Sequence, residues 1–84
     1  MCSTDLEHVL RSIRSLAHRA LITALRDARK EAGLSQYEVA RRLERPQSFV
    51  SAYESDDRKI DVLEFLHIAK MVRTDPCELL RRVM

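Results

Sequence analysis

Residues 36–54, QYEVARRLERPQSFVSAYE, decide how this chain folds. Two short helical segments flank a tight turn at Glu44-Arg45, and the apolar positions are 39, 40, 43, 50 and 53. Within each segment these recur at helical spacing. Ala40 is the small residue midway along the first segment, where a crossing helix approaches closely. Val50 and Tyr53, three apart, form the expected buried stripe of the second. Gln47, Ser48, Ser51 and Ala52 are left together on its solvent-facing side. A helix face that is small, uncharged and able to hydrogen-bond is what a DNA major groove accepts.

Working outward, helix starts are marked clearly. Ser35-Gln36-Tyr37-Glu38 is a capping box, preceded by Gly33, which can end an earlier helix in a left-handed cap. Thr4-Asp5-Leu6-Glu7 has the same form. Asp61-Val62-Leu63-Glu64 and Asp75-Pro76-Cys77-Glu78 repeat it with Asp as the cap, and Pro76 stands where its missing N–H costs nothing. Pro46 marks one further start. An N-terminal segment over about 5–32 carries apolar residues at helical intervals, from Leu6, Val9, Leu10, Ile13, Leu16 and Ala17 to Leu21, Ala24, Leu25 and Ala28. That is long for one helix in so small a domain, so a break is expected near Ser12–Ser15, with Ser15 capping a second helix. Shorter helices are expected at 36–43, 46–54, 61–72 and 75–83. Nothing reads as strand, repeat, linker or low-complexity tract.

Composition supports an all-α reading. At 84 residues the chain suits one small domain; 45% hydrophobic content supplies a core, and one Gly with two Pro leaves few hairpin turns. No apolar run approaches the roughly 20 residues needed to cross a bilayer, and MCSTDLEHVL is not a secretory signal, so a soluble cytoplasmic protein is expected. The net charge of +2 is too mild for coating nucleic acid by charge alone, though a local basic face fits it. Cys2 and Cys77 lie far apart in an intracellular-looking chain and are expected to be free thiols. Neither has a ligand spacing with His8, His18 or His67, so no metal and no cofactor are expected.

The stretch 36–54, its lead-in ALITALRDARKEAGLSQ, the following KIDVLEFLHIAK and the sequel DPCELL together resemble the Cro/C1-type (XRE-like) helix-turn-helix proteins over roughly residues 17–83. The resemblance implies a five-helix lambda-repressor-like DNA-binding domain at 17–84, with motif 36–54 and an additional N-terminal helical extension at 1–16. It implies operator DNA as partner, a homodimer on palindromic half-sites, and the 46–54 helix in the major groove. By position, Gln47, Ser48, Ser51 and Ala52 then face base edges. Gln47 is suited to bidentate pairing with adenine, and Ala52 to a thymine methyl. Gln36, at a helix start, and the flanking Arg45, Arg58 and Lys59 are the expected phosphate contacts, placing the protein on the nucleoid when DNA-bound. Arg41 and Arg42 read better as a solvated face. Phe49 is expected to pack on its neighbours rather than against the sugar–phosphate backbone.

Two features depart from the family pattern. Glu44 stands where Gly is usual, so a non-Gly residue is expected in a left-handed conformation. Asp56 and Asp57 place acids where phosphates are expected, weakening nonspecific binding. The apolar stripe Leu6, Val9, Leu10, Ile13 and Leu16 either folds back onto the core, pairs with a second subunit or binds another protein. Leu79, Leu80 and Val83, with Met84, form a competing dimer surface. No Gly-rich phosphate loop and no nucleophile with an adjacent base is present, which argues against an enzyme. The reading is a small dimeric repressor; the alternative is an antitoxin-like or adaptor protein whose N-terminal helix holds another protein.

Overall fold

A computed structural model describes the backbone of residues 2–84 and the side chains of residues 9–84. The described chain is all-helical: α1 (Cys2–Glu31), α2 (Gln36–Leu43), α3 (Gln47–Glu54), α4 (Val62–Met71) and α5 (Pro76–Val83). α1 packs on α3 and α5, α2 on α3 and α4, and α4 on α5. Ile22, Leu25 and Ala28 of α1, Val39 and Ala40 of α2, Val50 and Tyr53 of α3, Phe65 and Ile68 of α4 and Leu79 of α5 meet in one core.

The helix ends follow the side-chain chemistry. Ser35 and Asp61 each accept from the backbone N–H three residues on, while Glu38 and Glu64 accept from the cap's own N–H, closing two capping boxes. Asp75 accepts from the Cys77 N–H, with Pro76 in the first turn. Gly33 ends α1 at φ +71, and Glu44 ends α2 in the left-handed region at φ 57 and ψ 41. Asp56 and Arg73 are also left-handed. Pro46 lies outside α3 as its extended N-cap, without a side-chain cap bond, so the helix begins at Gln47.

Three expectations are corrected. α1 runs through Ser12–Ser15 without a break and starts before Thr4, whose side chain lies outside the described residues, as do those of Cys2, Leu6 and His8. No Gly or Pro interrupts residues 2–32, Ser costs a helix interior only about 0.5 kcal/mol, and extension from a docked C-terminal half avoids a new nucleus. The N-terminal half does not fold back onto the core either: Val9, Leu10, Ile13 and Leu16 are 50, 42, 55 and 63% exposed. The molecule is accordingly elongated, 48 × 25 × 19 Å, with a radius of gyration of 14.2 Å against about 12 Å for a compact domain of this size. Leu79 is completely buried and belongs to the core rather than to a dimer surface; Leu80 is exposed and Val83 half-buried.

Candidate nucleic-acid interface

α3 has one buried side, Val50 and Tyr53, and one open side. Gln47, Ser48 and Ser51 are exposed on that open side and Ala52 is half-buried beside them, so the four expected base-facing residues share one accessible surface. Burial pushes the Tyr53 phenol well above its ordinary range and keeps it neutral.

An ion pair inside the fold ties α1 to the end of this helix. Arg29 of α1 donates to both carboxylate oxygens of Glu54 at the C-terminal end of α3, at 2.7 and 3.1 Å, and donates also to the Leu34 carbonyl at 2.8 Å. Gln36 donates to the same carboxylate at 3.0 Å. The side chain of Gln36 is therefore committed to locking α2 to α3. What its position offers a phosphate is the start of α2, where free N–H groups and the helix dipole favour an anion.

Arg45 and Arg58, which flank α3 in the sequence, are held rather than loose. Phe49 packs edge-on against Tyr53, ring centroids 5.6 Å apart, as expected. Two guanidiniums also lie over its ring, Arg45 at 4.6 Å and Arg58 at 4.9 Å from the ring centre. Both arginines reach Glu64, at 3.6 and 2.6 Å. The Asp61 N–H and Arg58 hold the Glu64 carboxyl below its ordinary range against the opposing effect of burial. With five donors on each guanidinium and side chains 48 and 44% exposed, Arg45 and Arg58 keep N–H groups open to solvent. Arg42 donates to the Met71 carbonyl and serves α4, whereas Arg41 is exposed on α2.

The acidic loop is not what its sequence suggests. The Asp56 side chain, only 17% exposed, is held by Lys59 at 2.9 Å and His18 at 2.8 Å, with Arg19 at 3.7 Å. These contacts, Lys59 first, keep its carboxyl below the ordinary range. The Ile60 N–H donates to His18 Nε2 at 3.2 Å, so Nδ1 carries the proton donated to Asp56. Asp56 thus clips the α3–α4 loop to α1 instead of facing outward, and its left-handed backbone makes the inward turn. Asp57 stays exposed and accepts from the Ser55 hydroxyl.

Two further cations lie beside α3. Arg26 and Lys30 of α1 line an open depression together with Gln36, Ser51 and Ser55, next to the Arg29–Glu54 pair. Neither has a carboxylate within 4 Å among the described residues. Their spacing of four on one helix is visible in the sequence, but only the crossing of α1 over α3 brings them beside Ser51 and Ser55. Among the described residues no group of three or more His, Cys, Asp or Glu could hold a metal, and no helix is long and apolar enough to cross a membrane. Cys77 is an exposed free thiol in the first turn of α5.

The helix-turn-helix family model matches residues 25–79. A solved structure described as an XRE-family like protein from Pseudomonas syringae pv. tomato str. DC3000 is similar over 89% of this chain and 92% of its own, with a TM-score of 0.85 and 41% sequence identity. No curated protein matches the chain.

Proposed function

The chain belongs to the Cro/C1-type (XRE-like) helix-turn-helix family of DNA-binding regulators, and from that premise we propose a small dimeric transcriptional repressor that occupies a palindromic operator. α3 enters the major groove, with Gln47, Ser48, Ser51 and Ala52 toward base edges. The N-terminal end of α2 at Gln36, together with Arg45, Arg58 and Lys59, contacts phosphates and sets the register. The observation that carries this reading is the open face of α3, polar and uncharged, flanked by two guanidiniums already stacked on Phe49. An enzymatic role is not part of it, and the chain acts in the cytoplasm, on the nucleoid when bound.

Residues 17–84 form the DNA-binding domain and 1–16 an interaction arm. The exposed stripe Val9, Leu10, Ile13 and Leu16 supports pairing with the same helix of a second subunit, which sets two recognition helices about 34 Å apart. A second reading keeps the helix-turn-helix but gives that stripe to another protein, as an antitoxin or adaptor does. The same exposed apolar residues favour it.

Selection from random duplex DNA at about physiological salt, with the wild type and Gln47→Ala, tests the proposal. The expected result is a two-fold symmetric site for the wild type and relaxed recognition in the variant. Enrichment of nothing by the wild type overturns sequence-specific binding and moves the search to a protein partner for α1.

A further inference from the structure

Besides Arg26 and Lys30 next to α3, a second group of unpaired cations lies farther out along α1. Arg45, Arg58 and Lys59 are each in an ion pair. Arg11 and Arg14, on α1 just before residue 17, have no carboxylate within 4 Å among the described residues. They line an open cleft with Ser15, His18 and Lys59, between the projecting half of α1 and the α3–α4 loop. Asp56 beside it is already engaged by Lys59, His18 and Arg19, so among the described residues the cleft is electropositive without a competing free acid. The hydrogen bonds from His18 to Asp56 and from the Ile60 N–H to His18 fix the loop against α1 and hold the two walls in register.

We propose that this cleft binds the DNA phosphodiester backbone outside the base-contacting footprint, making the projecting half of α1 a second DNA-binding element. The inference rests on the DNA reading above. Like charges gathered in a cleft are stabilised by an anion that neutralises them, and guanidiniums suit phosphate through paired N–H donors. Lys59 continues the chain from Arg58, so the cleft is joined to the proposed phosphate contacts at the end of α3. Arg14 lies twelve residues from Arg26, about 18 Å along the helix, which spans roughly five base-pair steps. α1 thereby has basic groups at two points along its length. A single phosphate-binding turn has them at one.

The test uses the full chain and the Arg11→Gln/Arg14→Gln double variant on the selected duplex, with long and with trimmed flanks, over a range of salt. Both residues are exposed, so the fold should hold, and circular dichroism checks it. The expected result is weaker binding with unchanged sequence preference, a log-affinity against log-salt slope smaller by about 2 per bound subunit, and loss of the advantage of long flanks. A slope and flank dependence identical to wild type, while Gln47→Ala still relaxes specificity, overturns the cleft and leaves the DNA reading intact. Wild-type protein that binds no duplex overturns both. Titration with inorganic phosphate separates the sources of the anion. Saturation of the Arg11 and Arg14 signals by free phosphate, with DNA binding indifferent to the double variant, marks a small-anion site and overturns the backbone assignment.

Discussion

Arg29 and Glu54 close on each other through two hydrogen bonds, with side chains 11 and 4% exposed, and so join α1 to α3 at its C-terminal end. Three partners share the carboxylate's neighbourhood: two guanidinium nitrogens and the Gln36 amide. Removing one member strands the other away from water. Glu54→Gln and Arg29→Met are each expected to lose about 3–5 kcal/mol in chemical denaturation, because an unpaired buried charge remains or its partner is neutral. Losses near zero in both variants would mean that the pair does not anchor α3.

The two left-handed helix ends make opposite predictions. Gly33 has φ +71 and no atom within 4 Å of an added Cβ, so Gly33→Ala is expected to cost about 1 kcal/mol through conformation alone. Glu44, at φ 57, already carries that cost. Glu44→Gly should recover about 1 kcal/mol and raise Tm by roughly 4–8 °C, measured by thermal unfolding. An unchanged or lower Tm contradicts strain at Glu44.

Acid should loosen the flanks of α3. Glu64 and Asp56 have folded-state carboxyls held below their ordinary values of about 3.9–4.3 by hydrogen-bonding and charged partners. A depressed carboxyl contributes stability that is fully present above its unfolded pKa and disappears as pH falls through the folded one. Tm should therefore stay flat from neutrality to about pH 5 and fall below about pH 4. Glu64→Gln should be less stable than wild type at neutral pH, with the gap narrowing in acid. A gap that is constant with pH would place the loss in the Asp61 cap geometry instead of the carboxylate charge.

The projecting half of α1 can be tested by charge. Ile13 is 55% exposed and Leu10 42%, so Leu10→Glu/Ile13→Glu should leave helix content and core stability nearly unchanged. Sedimentation is expected to show a wild-type dimer and a monomeric variant, with operator affinity reduced alongside. Wild-type protein that remains monomeric at tens of micromolar argues instead for a different partner on this stripe.

Much of the architecture is local chemistry and hence legible in order along the chain. Ser35, Asp61 and Asp75 each bond a backbone N–H within three residues, and Gly33 needs no neighbour to adopt positive φ; such interactions are decided over a few bonds. The same holds for the faces of α3, since Val50 and Tyr53 fix by periodicity which side Gln47 and Ser51 occupy. The continuity of α1 was not legible, because Ser12 and Ser15 tolerate either a cap or a helix interior. Docking of residues from Leu21 onward decided between them.

Tertiary structure alone determined which charges are available. Asp56 looks like an acid facing phosphates, yet His18, thirty-eight residues away, turns it inward. Arg58 and Arg45 look free, yet Phe49 and Glu64 hold them from two directions. Leu79 resembles its neighbour Leu80 in the sequence, but one is sealed in the core and the other exposed. Local chemistry set the starts of α2, α4 and α5 and the side of α3 that faces out, because each depends on neighbouring backbone groups and a fixed periodicity. The crossing of α1 over α3 and the α3–α4 loop determined the partners of Arg29, Glu54 and Asp56, because ion pairing depends on a few ångströms between atoms that the chain keeps far apart until it folds.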